Sequence, residues 1–278
     1  MTFLVKVPVS VVIPCFRCAL TIERAVQSII DQTQKPAEVI LVDDASGDET
    51  LAVLLEIEQQ YPNWIKVLEL GNNQGAASAR NAGWAIATQP YIALLDSDDA
   101  WHPQKIEIQY AYMKAHPEVV LCGHDYYFSD ETLPRLLLYD TRSIGKNRLL
   151  LSNPFVTPSV MIRSSILFRF MPGQRYVDDH LLWMQIAQAD LKVVKLMSPL
   201  VKIYKGLYGE SGLSSHLWAM EKSELHNYLY LYKNKQIGLI VMLFLELFSI
   251  AKFMRRLGIV GINKACFGLK RIFDGFHG

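Results

Sequence analysis

The sequence predicts an α/β fold in which helices flank a mostly parallel sheet, followed by a helical C-terminal extension. Short apolar segments alternate with segments of helical periodicity over the first hundred residues, an order typical of parallel sheets. The apolar segments are continuous rather than alternating, as expected for strands that are covered on both faces. The last sixty residues have helical periodicity, so we expect a helical extension there.

Four strands and three helices are predicted within the first hundred residues. The strands are expected at 9–13, 38–42, 65–70 and 91–95, and the helices at 21–30, 51–57 and 76–87. Pro103 is expected in the first turn of a further helix. Beyond about residue 118, short strand-like segments alternate with loops. We therefore predict a ligand-binding half over 1–118, a second half over 119–218 and a helical extension over 219–278.

The composition limits the classes of function. Hydrophobic residues make up 51% of the chain, enough for a sizeable buried core. Lys and Arg number 28 against 27 Asp and Glu, so the basic excess typical of nucleic-acid binding is absent and we expect no nucleic-acid partner. No basic segment followed by a long apolar run is visible at the N-terminus, so we expect no secretory signal and a cytoplasmic location.

Two of the four cysteines are close in sequence. Cys15 and Cys18 have the spacing of a redox pair or of half a zinc site. Cys122 and Cys266 stand alone, so the second half of a zinc site is missing. Free thiols in a reducing cytoplasm are the expected state.

Residues 237–256 form an apolar segment that ends in basic residues. The apolar part is shorter than the roughly 20 residues of a membrane-spanning helix. Glu246 lies near its middle, where a charge is costly in hydrocarbon. Lys252, Arg255 and Arg256 follow. Two interpretations stay open: a helix that lies on a membrane surface and a terminal helix that is buried against the domain.

Two acidic clusters come directly after predicted strands. Ligands of parallel sheets bind beyond the carboxyl ends of the strands, so both clusters are expected at the ligand-binding edge. In one cluster, Asp96 and Asp98 are two residues apart and can share a divalent cation such as Mg²⁺ or Mn²⁺, which prefers oxygen ligands. The alternative is a solvated acidic turn that caps the next helix.

The other cluster contains Asp44, whose carboxylate can accept hydrogen bonds from a nucleobase or a ribose hydroxyl. Ser46 or Asp48 could cap the next helix, and the two functions are compatible. Arg80 lies in the following helix and could reach a phosphate or a base, whereas a surface arginine is the alternative. Residues 71–75 match neither the dinucleotide-binding pattern nor a P-loop.

Together these segments resemble the family 2 glycosyltransferases, which have the GT-A fold with a Rossmann-like sheet. Five short segments carry the resemblance in the family's order and spacing: 9–14, 42–50, 72–75, 79–83 and 91–99. The match is strong over residues 8–105 and looser to about 205. The resemblance implies that the first half binds a nucleotide-diphosphate sugar and the second half an acceptor.

The resemblance also implies an activity. The sugar would pass with inversion to a hydroxyl of a glycan or a lipid-linked acceptor, with Mn²⁺ or Mg²⁺ on the diphosphate. The product would be a cell-surface polysaccharide or lipopolysaccharide. The enzyme would then be cytoplasmic or peripheral at the inner face of the plasma membrane, with surface contact through 237–256.

The resemblance assigns roles in the donor site. Asp44 would read the base, Asp96 would lie near the ribose and Asp98 would bind the metal, while Asp99 is tied less firmly to the metal. The Pro14 segment would form the wall of the nucleoside pocket.

That wall comprises Pro14, Cys15 and Phe16. Family members usually have a Tyr-Asn pair after the early proline, whereas this chain has Phe16 and Arg17. The donor contacts of this loop therefore differ from the family pattern.

A third acidic pair belongs to the acceptor side. Asp178 and Asp179, with Trp183 four residues later, have the spacing of the family's acidic pair and aromatic residue. By resemblance, Asp179 is the general base that takes the proton of the acceptor hydroxyl, and Asp178 stands where the family usually has glutamate. Without the resemblance, the pair would be an N-cap for a helix over 181–189. The loop at 211–216 could close over the diphosphate.

Two other functions use similar elements. Nucleotidyltransferases combine an α/β domain with Mg²⁺, but they usually have a glycine-rich basic loop near the first strand, which is missing after Pro14. Receiver-like binding domains also have an acidic pair after a strand. They place it after the first strand, however, and lack an Asp-x-Asp-Asp segment after the fourth. The sequence therefore favours a glycosyltransferase.

Overall fold

The computed structural model describes residues 6–129, 140–204 and 216–274, with side chains described as far as residue 256. The chain divides into two compact units, Met1–Ser215 and His216–Gly278. The first unit contains the sheet, and the described part of the second contains two helices. Apart from His216, the loop expected to close over a diphosphate lies outside the described residues.

The described part of the first unit contains nine strands and six helices. In chain order they are β1 (Val7–Cys15), α1 (Ile22–Ile30), β2 (Pro36–Asp43), α2 (Thr50–Gln60), β3 (Ile65–Glu69), α3 (Ala76–Ile86), β4 (Tyr91–Leu94), β5 (Ala100–Trp101), α4 (Lys105–Ala115), β6 (Val119–Phe128), β7 (Thr141–Ser143), α5 (Lys146–Leu151), β8 (Met161–Arg163), α6 (Asp178–Gln188) and β9 (Lys192–Ile203). A 3-10 turn, Thr157–Ser159, precedes β8.

The strands form one mixed sheet in the order β3-β2-β1-β4-β8-β6-β9-β5, and β7 pairs with β9. β3, β2, β1 and β4 are parallel, as predicted. Beyond β4 the sheet is mixed: β8 is antiparallel to β4 and β6, whereas β9 is parallel to β6 and antiparallel to β5 and β7. β8 is three residues long and follows the 3-10 turn.

Most predicted elements differ from the observed ones only at their ends. β1 continues to Cys15, two residues beyond its expected end, because these residues pair with β2. Pro103 precedes α4, which begins at Lys105, so the prediction that Pro103 lies in the first turn is wrong. The strand expected at 159–162 is divided between the 3-10 turn and β8. The sheet continues across residue 118, since β6 pairs with β8 and β9.

The main hydrophobic core lies between the sheet and helices α1, α2 and α4. The predicted apolar face of α1 is buried through Ile22, Ala25, Val26 and Ile29. β1 contributes residues with no exposed surface along most of its length. This burial on both sides explains why its sequence is a continuous apolar run.

Helix α3 packs closely on the opposite face of the sheet. A Cβ atom on Gly83 would lie 2.5 Å from Cγ1 of Val12 and 3.0 Å from Cγ2 of Val42. Glycine therefore permits this close approach of the helix to β1 and β2. Arg80 is three residues earlier on the same helix, so it lies on the face that is turned towards the sheet.

The second unit contains α7 (Leu217–Lys233) and α8 (Leu239–Asp274), which pack against each other. Met242, Leu245, Ser249 and Phe253 are the fully buried positions in the part of α8 whose side chains are described. Among the helices that the structure describes, none combines the length and the apolar character needed to cross a membrane.

Candidate active site

The carboxyl ends of β1, β2 and β4 meet at one edge of the sheet because these neighbouring strands are parallel. The backbone N–H of Asp44 donates to the carbonyl oxygen of Cys15 at 2.8 Å, which joins the ends of β2 and β1. Asp96 follows β4 after Leu95. The two acidic clusters of the sequence therefore lie at the same edge of the sheet.

Asp44 holds the loop that leads into α3. Its side chain is buried, and its Oδ1 and Oδ2 accept the backbone N–H groups of Gln74 and Gly75, each at 2.8 Å. Gly75 has a φ of 84°, a conformation that glycine adopts without strain. Each carboxylate oxygen has a second lone pair, so Asp44 keeps acceptor capacity for a nucleobase.

The loop after β1 exposes only part of the predicted nucleoside wall. Pro14 and Cys15 are buried inside β1, whereas Phe16 is 45% exposed. Of the three residues, Phe16 therefore offers an exposed side chain, whereas the side chains of Pro14 and Cys15 pack inside the sheet. The Arg17 N–H donates to the Ser46 hydroxyl oxygen at 3.1 Å and fixes this loop to the end of β2.

The N-cap of α2 is Glu49, so neither of the two expected capping residues occupies that position. Oδ1 of Asp48 accepts the backbone N–H of Thr50 at 2.9 Å. The Ser46 hydroxyl instead donates to Oδ1 of Asp43 at 2.5 Å. The cluster that contains Asp44 therefore also contains residues whose hydrogen bonds stabilise the local fold.

Cys15 and Cys18 are free and buried, as expected for reduced thiols. A hydrogen bond with the Cys15 thiol lowers the pKa of Cys18, and burial raises the pKa of Cys15. No group of three or more His, Cys, Asp or Glu side chains within the described ranges has a metal-binding arrangement. A zinc site at Cys15 and Cys18 is therefore not supported by these residues.

Arg80 joins the turn after β4 to the first turn of α6. Its Nη2 lies 2.8 Å from Oδ1 of Asp96, and its Nη1 lies 3.2 Å from Oδ2 of Asp178. The guanidinium also lies 5.4 Å from the ring centroid of Phe170. The Arg80 side chain is only 8% exposed. Both Nη atoms of the guanidinium contact a carboxylate. Arg80 is therefore a buried residue of this ion-pair bridge and not a surface arginine.

The bridge affects how its two carboxylates ionise. Burial raises the pKa of Asp178 to about 6, although the nearby Arg80 opposes this shift. Burial also raises the pKa of Asp96, again against the effect of Arg80. A buried carboxylate is costly without a partner. Arg80 therefore stabilises the charged form of both groups.

Three carboxylates crowd the turn after β4. Asp98 is half-buried, and Asp99 is buried with its Oδ1 accepting the backbone N–H of Tyr204 at 3.2 Å. Burial, and then the proximity of Asp96 and Asp98, raise the pKa of Asp99 to about 8. Asp99 thus connects the turn to the end of β9, whereas Asp98 remains nearer the solvent.

Arg24, which sequence analysis overlooked, lies beside this turn. Its guanidinium donates to the backbone carbonyl oxygen of Asp98 and lies 3.6 Å from the ring centroid of Tyr204. An arginine on an amphipathic helix gives no signal of such a contact in sequence. Among the described residues, the guanidinium groups of Arg24 and Arg80 lie near the carboxylates of Asp96, Asp98 and Asp99.

Asp179 is held in the first turn of α6 by its neighbours. Its Oδ2 accepts the side-chain amide of Asn153 at 3.1 Å and the hydroxyl of Thr157 at 3.2 Å, and its Oδ1 accepts the His180 N–H at 2.7 Å. Asp179 remains half-buried. α6 begins at Asp178, so the pair lies in the first turn and does not cap a helix that begins at 181.

Two further residues of α6 have structural contacts. Nε2 of His180 lies 2.6 Å from the carbonyl oxygen of Leu149. Trp183 is fully buried and packs edge-on against Phe170, with ring centroids 5.9 Å apart. These contacts fix α6, and with it Asp178 and Asp179, against the rest of the unit.

Cavity volume does not locate this site. A cavity of about 550 Å³ between α4 and β9 contains none of the predicted site residues. A polar pocket of about 450 Å³ lies beside the Asp44 loop, and its lining includes Gln74 and Arg175. The convergence of charged groups at the sheet edge is therefore the better guide to function.

Residues 10–175 match the family model described as Glycosyl transferase family 2. The chain belongs to this family. The amylovoran biosynthesis glycosyltransferase AmsE of Erwinia amylovora is 30% identical over 226 residues, which cover 79% of this chain and 83% of AmsE. The Escherichia coli UDP-Glc:alpha-D-GlcNAc-diphosphoundecaprenol beta-1,3-glucosyltransferase WfaP is 30% identical over 189 residues, which cover 66% of this chain and 72% of WfaP.

Solved structures of other glycosyltransferases share the fold of this family 2 enzyme. S. aureus TarS 1-349 in complex with UDP-GlcNAc matches with a TM-score of 0.65 and 19% identity, covering 82% of this chain and 67% of that one. The Pyrobaculum calidifontis mannosyltransferase PcManGT in complex with GDP-Man and Mn²⁺ matches with a TM-score of 0.62 and 17% identity, covering 95% and 81%. These likenesses confirm the predicted GT-A architecture.

Membership of family 2 confirms the predicted enzyme class. The protein is a glycosyltransferase, and its relatives act in bacterial polysaccharide biosynthesis. The nucleotidyltransferase and the receiver-like binding domain are not favoured. The roles of individual residues stay predictions, for which the geometry supplies the physical basis.

Proposed function

We propose that this enzyme transfers a sugar with inversion from a nucleotide-diphosphate sugar to a hydroxyl of a lipid-linked or glycan acceptor. The Arg80 bridge is the observation that carries the proposal. It brings Asp96, at the end of a donor-side strand, within reach of the guanidinium that also contacts Asp178 on the acceptor side. One edge of the sheet can therefore hold both reactants, as a displacement between them requires.

Similar proteins support the donor and acceptor classes. The name of WfaP gives UDP-Glc as donor and a diphosphoundecaprenol-linked acceptor. TarS and PcManGT were crystallised with UDP-GlcNAc and GDP-Man. We infer that Asp44 accepts a hydrogen bond from the base, that Asp96 lies near the ribose and that the exposed ring of Phe16 covers the nucleoside.

A divalent cation fits the turn after β4. Asp96, Asp98 and Asp99 are crowded there, with Arg24 and Arg80 as the neighbouring cations. Carboxylate oxygens are the ligands that Mg²⁺ and Mn²⁺ prefer, and such ions usually combine one or two carboxylates with substrate phosphates. Asp98 is the carboxylate placed to bind the ion, which would stabilise the charge of the leaving diphosphate.

Asp179 supplies the base for the reaction. Asn153 and Thr157 orient its Oδ2 through hydrogen bonds. The carboxylate removes the proton of the acceptor hydroxyl as the oxygen attacks the anomeric carbon on the face opposite the diphosphate. The carbon–oxygen bond to the diphosphate breaks in the same displacement, so the configuration inverts.

We also propose where the enzyme works. A lipid-linked acceptor is confined to a membrane, so the enzyme would act at the inner face of the plasma membrane in the synthesis of surface polysaccharide or lipopolysaccharide. Residues 237–256 would make the surface contact. The described helices give no sign of a membrane span, so the contact would be peripheral.

The metal assignment is tested by Asp98→Asn. We expect the turnover with Mn²⁺ or Mg²⁺ to fall by about 10²-fold or more, since one charged ligand is lost where diphosphate charge develops. The stabilisation that a nucleotide sugar gives in the presence of Mn²⁺, measured as a thermal shift, is also expected to disappear.

The exposed Asp31 provides the matched control for this variant. Asp31→Asn removes one carboxylate from the end of α1, away from the site, and should change neither measurement. Full metal-dependent transfer by Asp98→Asn would show that another group binds the ion.

A further inference from the structure

Helix α8 has an apolar outer face between residues 239 and 254. Every exposed side chain between residues 239 and 254 is apolar. The large ones are Leu239, Ile240, Val241, Leu243, Phe244, Leu247, Phe248, Ile250 and Met254. Helices at a water-exposed surface usually have the opposite arrangement, with charged residues outward. Contiguous apolar surface of this extent marks an interaction site.

Lys252 of α8 is paired with a carboxylate of α7. Nζ of Lys252 lies 2.9 Å from Oε1 of Glu224, which also accepts the hydroxyl of Tyr228 at 2.8 Å. Ser249 is fully buried beside this group. Burial raises the pKa of Glu221, which lies on the same face of α7. Charged groups that are paired in this way can approach an apolar medium, whereas unpaired ones cannot.

The charge of this unit indicates the chemistry of its partner. Residues 216–278 contain nine Lys and Arg against four Asp and Glu, whereas residues 1–215 contain 19 against 23. Arg255 and Arg256 directly follow the apolar stretch. Two copies of so basic a unit would repel each other, while anionic lipid headgroups would attract it. A bilayer therefore fits this surface better than a second copy of the chain.

We infer that α8 lies in the plane of an anionic bilayer with its outer face inserted into the hydrocarbon of one leaflet. The stretch from 239 to 254 is about 24 Å long, and its basic end contacts the headgroups. The inference depends on the proposed function only in placing the enzyme at a membrane. It adds that insertion of apolar side chains, and not charge alone, holds the protein there.

Flotation of the full chain with vesicles tests this inference. We expect binding to vesicles of phosphatidylcholine with phosphatidylglycerol, and at least tenfold weaker binding by Phe244→Gln/Leu247→Gln. The matched control is Leu20→Gln/Leu167→Gln, because these leucines of the first unit are 99% and 94% exposed. The control is expected to bind as the unchanged chain does. Equal binding by both double variants, or none by the unchanged chain, would overturn the inference.

Two further measurements separate the alternatives. Arg255→Gln should weaken binding several-fold on anionic vesicles and leave binding to phosphatidylcholine alone unchanged. Light scattering without lipid should show the same mass for the unchanged chain and for Phe244→Gln/Leu247→Gln. A dimer that this pair of substitutions dissociates would identify a second copy as the occupant and overturn the inference. Flotation needs neither donor nor acceptor, so its outcome is independent of any failure of the transfer reaction.

If Phe244→Gln/Leu247→Gln did not fold, as judged by circular dichroism, Ile240→Gln would replace it. Ile240 is 84% exposed, so this single change leaves the packing between α7 and α8 intact. It is expected to weaken vesicle binding about threefold or more. Unchanged binding by a folded Ile240→Gln would count against insertion of the outer face.

Discussion

Asp179→Asn is expected to lower kcat for sugar transfer by about 10²- to 10⁴-fold, the range typical of a lost general base. Asparagine keeps the size of the side chain and can still accept hydrogen bonds from Asn153 and Thr157 through its carbonyl oxygen. It cannot take the proton of an attacking hydroxyl. The donor KM should change little, because Asp179 does not contact the donor in the proposed mechanism.

Asp190 provides a control that lies just beyond the other end of α6. Its side chain is 76% exposed and pairs with Lys146 on the surface. Asp190→Asn should leave kcat and KM unchanged. Transfer by Asp179→Asn at a rate near that of the unchanged enzyme would mean that another group is the base. A rise in donor KM without a fall in kcat would instead place Asp179 in binding.

Arg80→Met is expected to destabilise the fold by about 3–5 kcal/mol, the cost of leaving one partner of a buried ion pair without the other. Methionine retains the apolar length of the side chain and its packing near Phe170. The carboxylates of Asp96 and Asp178 would then lose their common cation. Urea unfolding of both proteins at pH 7.5 and pH 5 measures the difference in the free energy of unfolding.

The loss of unfolding free energy caused by Arg80→Met should be smaller at pH 5 than at pH 7.5. The pKa of Asp178 is already raised by burial to about 6, and loss of Arg80 would raise it further. A raised native pKa favours folding at low pH, and this contribution is lost as the pH rises through that pKa. At pH 5 the side chain of Asp178 in Arg80→Met is therefore a neutral acid and not an unpaired buried charge. An equal loss at both pH values would show that the bridge does not control the ionisation of Asp178.

The same variant tests whether Arg80 positions the catalytic groups. We expect kcat for sugar transfer to fall in Arg80→Met, because the guanidinium that holds Asp178, the neighbour of Asp179, is lost. Arg80→Lys keeps a charge but cannot reach both carboxylates with a planar fork, so it should restore the stability only in part. Arg163→Lys is the matched control, since Arg163 contacts backbone carbonyl groups away from the site.

Much of the fold could be predicted because the periodicity of the sequence reports burial directly. β1 and β4 are continuous apolar runs, since both faces of each strand are covered. Asp44 follows β2 and Asp96 follows β4, and the parallel pairing of both strands with β1 brings the two clusters to one edge. Antiparallel β8 could not be predicted, because a three-residue strand has no periodicity of its own.

The site was less accessible to prediction where it depends on contacts between distant segments. Arg80 and Asp178 are 98 residues apart, and no local pattern couples them. Asn153 and Thr157 are single polar residues of a loop, so their hydrogen bonds to Asp179 appear only in three dimensions. The resemblance assigned the segment of Pro14, Cys15 and Phe16 as a whole, and only the structure shows that Phe16 is its exposed side chain.

The helical extension illustrates the same limit. The apolar stretch from 237 to 253 is visible in sequence, and so is Glu246 within it. Which residues face α7 depends on packing, and Ser249 and Lys252 turn inward where they meet Glu224 and its neighbours. The outer apolar face is therefore a property of the pair of helices and not of either sequence segment alone.

The products of one turnover test the proposed reaction most directly. With an α-linked nucleotide-diphosphate sugar, a divalent metal and an acceptor, the mechanism predicts one nucleoside diphosphate for each new glycosidic bond. It also predicts a β-linked product, because the hydroxyl activated by Asp179 attacks opposite the diphosphate. Chromatography of the nucleotide and NMR of the anomeric proton measure both. Pyrophosphate release, or an α-linked product, would contradict it.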